Sequence, residues 1–133
     1  MVRDCLWVVG VAAGVLAGCA APGDGDPRMA GDVTRGREVF VSREAGHCVL
    51  CHAVPGVEAA GDLGPPLAGV GSRFSTGQLR ELVSDISRVR PDATMPSFHR
   101  TAGLTRVAPQ YAGKPALDAR QLEDVVAFLG SLK

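Results

Sequence analysis

The stretch GHCVLCHAV, residues 46–54, sets two cysteines and a histidine in a C-x-x-C-H run: Cys48, Cys51 and His52. With 4 Cys and 3 His in 133 residues, chance alone would produce such a run roughly 0.003 times per chain, so it calls for a chemical reading. Three chemistries compete. A structural zinc needs four N or S ligands, usually as two paired knuckles, and from the run onward the chain adds only the adjacent His47 and the distant His99, with no second pair. A thioredoxin-like redox pair belongs at a helix N-terminus inside a βαβ pattern, and the chain carries no strand pattern to host one. The remaining chemistry is covalent haem attachment, in which both thiols add to the porphyrin vinyl groups and the next residue, His52, comes to lie beneath the iron. One haem c is therefore expected. The second ring nitrogen of His52 should then donate to an acceptor that fixes the tautomer.

Upstream of the run, Arg3 precedes an apolar stretch from Leu6 to Ala17 that ends in small residues. This is a secretory signal pattern, too short to serve as a spanning helix. Residues 1–18 are assigned to the signal peptide, 19–31 to a Gly-, Pro- and Asp-rich tether, and 32–133 to the folded domain, exported to the periplasm. Leu16-Ala17-Gly18-Cys19 fits a lipobox that would place a lipid anchor on Cys19, although the same residues suit ordinary signal cleavage. Cys5 and Trp7 leave with the signal, so Cys48 and Cys51 are the cysteines inside the mature domain. An exported protein would ordinarily build a disulfide framework, and a single close pair does not make one.

The 14 basic and 14 acidic side chains balance, which speaks against a nucleic-acid surface. From Leu63 to Lys114, however, seven basic residues face three acidic ones. Aromatic residues make up only 5% of the chain, leaving little large apolar surface for a core unless a prosthetic group supplies it. Three helices are predicted. Asp32 caps VTRGREVFVS, with Val33, Gly36 and Phe40 on one face. Ser75 and Gln78 form a capping box ahead of STGQLRELVSDISRVR, where Leu79, Leu82, Val83 and Ile86 recur at helical spacing until Pro91 stops the helix. Asp118 and Gln121 cap the last helix, whose stripe is Leu122, Val125, Val126 and Leu129. The expected fold class is all-α, with short helices, long Gly- and Pro-containing loops and tertiary packing to hold them.

Met95 lies 43 residues after His52 in ATMPSF, just past the helix that Pro91 ends. It is the only methionine in the folded region, and its thioether suits the sixth iron position. His99 is the rival ligand. With the run, this loop and the helices in place, the chain resembles the monohaem class I cytochromes c. That resemblance matches Gly64-Pro65-Pro66-Leu67 to the family's GP-x-L loop and so implies that the carbonyl of Pro65 receives the His52 proton. It also implies that Gly36 and Phe40 on the first helix pack against Phe128 and Leu129 on the last. The tryptophan that many relatives place near the haem propionates is missing; Arg73 is a candidate substitute, though an ordinary solvated arginine would look the same.

A narrower resemblance begins at the methionine loop. MP-x-FHR, GL-x-RVAP, Y-x-GKP and EDVVAFL, between Thr94 and Leu129, are similar to the C-terminal blocks of the SoxX family, the monohaem subunits of SoxAX complexes in bacterial sulfur oxidation. The resemblance implies an electron-accepting subunit of an L-cysteine S-thiosulfotransferase, which joins thiosulfate oxidatively to a cysteine of the carrier SoxYZ. It implies a SoxA-type cytochrome partner bearing the catalytic haem and a downstream c-type cytochrome as acceptor. No independent catalytic centre is expected on this chain. Arg88, Arg90, Arg100 and Arg106 flank the methionine loop and suit docking, though a solvated face would look the same. The competing function class is a free-standing periplasmic electron carrier.

Overall fold

The computed structural model describes residues 29–133; the signal peptide, Cys5, Trp7 and Cys19 lie outside the described residues. Among the described residues four α-helices follow one another, α1 (Val33–Val41), α2 (Val70–Arg73), α3 (Thr76–Asp85) and α4 (Ala119–Ser131), with short 3₁₀ turns at Cys48–Leu50, Ile86–Arg88 and Pro109–Tyr111. No strand occurs among the described residues. The last helix is the hub: α1, α2 and α3 all pack on it.

Each long helix starts where a side chain satisfies its free N–H groups. Asp32 accepts from the backbone of Arg35 at 2.8 Å. Ser75 with Gln78, and Asp118 with Gln121, form the two reciprocal capping boxes that the sequence predicts. The apolar stripe of α4 is buried as its spacing requires, at Leu122, Val125, Val126 and Leu129, and Asp124 and Phe128 are buried beside it. On α1, Gly36 and Phe40 are buried. A Cβ at Gly36 would overlap the carbonyl of Asp124, so the missing side chain is what allows the two helices to cross so closely. One turn further on, the rings of Phe40 and Phe128 meet edge to face, 5.4 Å between centroids at 60°, a favoured aromatic geometry.

The structure departs from the predicted pattern in three places. Val33, read as part of the apolar face of α1, is 46% exposed. The chain entering the helix already occupies that end of α4: a Cβ at Gly31 would overlap the Glu123 carbonyl, and Asp32 donates its N–H to Asp124 at 2.7 Å. Secondly, the helix predicted to run as far as Pro91 ends as α-helix at Asp85, whose φ of −154° and ψ of 85° have left helical geometry. Its carboxylate accepts from the backbone and hydroxyl of Ser87, a local side-chain bond that competes with the helix. Thirdly, α2 has too few residues to show a period. It is placed by backbone contact, with Gly71 donating to the Leu132 carbonyl at 2.9 Å and a Cβ at Gly71 overlapping the Gly130 carbonyl.

Two long connections, residues 42–69 and 89–118, carry the rest of the chain. The first holds the C-x-x-C-H run and the second the methionine loop, both laid against the helical core.

Candidate functional site

The C-x-x-C-H run folds as a single tight turn. The Cys48 carbonyl accepts from the N–H groups of both Cys51, at 3.1 Å, and His52, at 2.9 Å. His47, just before it, takes the left-handed conformation at φ 56°. Gly46 and His47 donate back to Val39 and Ser42, tying the turn to the end of α1. Both cysteines are free and partly buried, and burial pushes the Cys48 thiol up to about 11. That is the opposite of the lowered pKa on which a dithiol redox site depends. Among the described residues no three His, Cys, Asp or Glu side chains gather as a metal cluster.

The loop carrying GDLGPPL wraps over this turn through three backbone bonds in step: Gly61 to Val49, Gly64 to Cys51 and Leu67 to Ala53, all between 2.8 and 2.9 Å. The approach is close enough that a Cβ at Gly61 would overlap the Leu50 carbonyl and one at Gly64 would overlap the His52 ring. In that arrangement His52 Nδ1 lies 2.7 Å from the Pro65 carbonyl oxygen. A carbonyl only accepts, so Nδ1 donates, and in the neutral imidazole Nε2 then keeps its lone pair.

The methionine loop is stitched to α3 on one side and to the approach to α4 on the other. Phe98 donates to the Val83 carbonyl and His99 to that of Ser84, while Leu117 donates to the Phe98 carbonyl. His99 Nδ1 stands 2.9 Å from the Leu117 carbonyl, so this side chain is engaged in holding the loop. Met95 is half-buried against the core cluster and borders a cavity of about 440 Å³ lined also by Ala93, Pro96, Arg100, Leu104 and Val107.

A family model, Cytochrome c, matches residues 33–133. Among solved structures, the crystal structure of SoxXA from P. pantotrophus matches with a TM-score of 0.71 and 36% sequence identity, over 78% of this chain and 83% of that one. The chain is a class I cytochrome c of the SoxX type. Among curated proteins no match was found.

As a cytochrome c, it has covalently bound haem c as its cofactor and electron transfer as its activity. The donors of the C-x-x-C-H turn fit that group. Two free thiols and a histidine whose Nδ1 is tied to the Pro65 carbonyl are presented by one turn, and Gly64 leaves the imidazole its space. The arginines near the site differ in their engagements. Arg73 donates to the Ala68 carbonyl at 2.7 Å. Arg100 donates to Ser87 Oγ at 2.8 Å and lies 3.7 Å from the Asp85 carboxylate, so it belongs to an internal cluster, whereas Arg88, Arg90 and Arg106 are exposed. Sequence reasoning missed two carboxylates. Asp124 is buried at the α1–α4 crossing and Asp85 sits behind the methionine loop. Neither left a signal: Asp124 sits off the predicted apolar stripe of α4, on the side that meets α1, and Asp85 ends a helix unremarkably.

Proposed function

We propose that Cys48 and Cys51 form the thioethers to the haem, that His52 Nε2 is the proximal iron ligand, and that the Met95 thioether is the distal one. The observation that carries this reading is the 2.7 Å bond from His52 Nδ1 to Pro65. It fixes the tautomer that leaves Nε2 as donor, and acceptors of this kind raise the basicity of a ligating imidazole. When bound, the haem supplies a one-electron couple, which methionine ligation shifts to higher potential. The protein contributes a fixed imidazole, a stitched methionine loop and helices that hold both in register. With Met95 on the iron and both cysteines committed to thioethers, the described residues would offer no cysteine nucleophile and no open coordination site.

The chain then acts as the electron-accepting haem subunit of a SoxAX-type L-cysteine S-thiosulfotransferase in the periplasm. It pairs with a SoxA-type cytochrome that holds the catalytic haem, serves SoxYZ through that complex, and passes electrons to a downstream c-type cytochrome. Its likeness to the SoxXA structure supports this placement over a free-standing carrier. Among the described residues no helix is long and apolar enough to cross a membrane, and a lipid on Cys19 would supply any tether. The test is co-expression of the haem-loaded chain with the SoxA homologue of the same organism. Co-purification, and haem reduction by thiosulfate and SoxYZ that requires SoxA, is the expected result. Monomeric behaviour with no such reduction would favour the carrier instead. Mass spectrometry of the mature N-terminus decides the anchor, with an unmodified Ala or Pro start removing it.

A further inference from the structure

The bonds that locate Met95 include one cluster that the haem site does not otherwise require. Asp85, at the end of α3, points one carboxylate oxygen, Oδ1, at three donors: Ser97 Oγ at 2.5 Å, Ser87 Oγ at 2.6 Å and the Ser87 N–H at 3.3 Å. Ser87 Oγ in turn accepts from Arg100 Nη1 at 2.8 Å, and that guanidinium stands 3.7 Å from the same oxygen. The side chains of Asp85 and Arg100 are 14% and 35% exposed, so the cluster is largely shielded, and bonds to a shielded charge are the stronger kind. Ser97 is two residues from Met95, and Ser87, Ser97 and Arg100 line the same cavity as the methionine.

We propose that Asp85 is the positioning residue of the methionine loop, holding Met95 in its ligating place through Ser97 while Ser87 and Arg100 hold Asp85. The proposal rests on Met95 as the distal ligand. Its logic is that of two separable anchors. The backbone bonds of Phe98 to Val83 and His99 to Ser84 fasten the far end of the loop whatever residue stands at 85. The serine hydroxyl bond restrains the turn that carries the thioether. Without the carboxylate, residues 93–97 gain freedom while the helical core and the strap at 98–99 stay in place, so the distal ligand exchanges with external ligands more readily.

The measurement uses the haem-loaded protein in the ferric state and follows the weak far-red band of methionine-ligated haem together with binding of free imidazole, which must displace Met95. Asp85→Ala is expected to weaken the band and tighten imidazole binding roughly tenfold, the size of effect that losing a hydrogen bond to a charged group produces. Asp85→Asn retains an acceptor for the serines and should recover most of the wild-type behaviour. Asp124→Ala, which loosens the helix crossing, should lower thermal stability and leave band and imidazole affinity alone. Should Asp85→Ala not accumulate as folded protein, Ser97→Ala removes the same link with a smaller change, and a shift of the same sign is expected. Wild-type band and imidazole affinity in these variants would overturn the proposal. Retention of the band in Met95→Ala would instead remove the ligand assignment beneath it, so the two failures are distinguishable.

Discussion

At the scale of single residues, the site depends on one missing side chain as much as on its donors. Gly64 lies so close to the His52 imidazole that a Cβ would overlap Cε1 and stand 2.7 Å from Nδ1 and 2.8 Å from Nε2, inside any real carbon contact. Gly64→Ala must therefore move the ring, and moving it breaks the bond to Pro65. We expect less of the purified protein to carry attached haem, because the displaced ring no longer presents His52 to the iron as the thioethers form. Gly77 offers a matched control, because a Cβ there meets nothing within 4 Å, and Gly77→Ala should leave haem content unchanged. Absorbance of the haem against total protein reads both. The candidate donors Cys48, Cys51 and His52 stand out in the sequence, since C-x-x-C-H is a local motif whose chemistry needs no tertiary partner. The Pro65 carbonyl was reachable only through family resemblance, because a backbone acceptor thirteen residues away leaves no side-chain trace. Asp85 and its serines were not legible, because ordinary surface residues become a cluster only when the methionine loop folds back on α3.

At the scale of helices, the α1–α4 crossing is the joint on which the core turns, and it has an apolar half and a charged half. On the apolar side, Gly36→Ala would drive a Cβ into the Asp124 carbonyl and within 2.8 Å of Phe128 Cβ. Backbone cannot rotate away as a side chain can, so a loss of about 2 to 3 kcal/mol is expected in denaturant unfolding. On the charged side, Asp124 accepts from the Asp32 N–H at 2.7 Å and from Arg35 at 2.9 and 3.0 Å, at the N-terminal end of α1 where a negative charge also meets the helix dipole favourably. The Arg35 bonds hold its carboxyl below the usual carboxylate range, against desolvation and with help from the Asp32 backbone. A carboxylate depressed in the folded state stabilises above its unfolded pKa of about 3.9 and loses that contribution as pH falls through the folded value. Asp124→Asn should therefore cost about 2 kcal/mol near neutral pH, with the gap to wild type closing below about pH 4. A gap independent of pH would assign the effect to packing alone. The helices, their caps and their buried stripes were legible because caps and periods are local patterns. The early end of α3 was not, since it follows from where the Asp85 carboxylate finds its donors.

At the scale of the whole molecule, most of the described chain is loop, and the buried apolar set is concentrated on α4 and the faces packed against it. Outside that set, Val49, Val54, Phe98 and Leu117 are the buried apolar residues that the loops contribute. Leu63 at 73%, Tyr111 at 63% and Leu50 at 43% exposed are loop side chains that the helical core does not cover. The two connections are thus fixed chiefly by backbone bonds to helix ends and within themselves, with little apolar burial of their own. Such loops depend on whatever bridges them, and a covalent haem held from the first loop by Cys48, Cys51 and His52 and from the second by Met95 would be that bridge. A group bound by the folded state and not by the unfolded one stabilises by mass action, and one attached through thioethers cannot be diluted away. We expect Cys48→Ala with Cys51→Ala, exported without attached haem, to keep part of its far-ultraviolet helical signal while losing at least about 15 °C in Tm, the equivalent of about 2 to 4 kcal/mol for a domain of this size. Hydrogen exchange should localise the loss. Amides of α1 and α4 should stay protected by their crossing, and those of 46–67 and 93–117 should exchange quickly. Uniform loss across all four helices would mean that α4 is no independent hub and that the haem organises the helices as well as the loops.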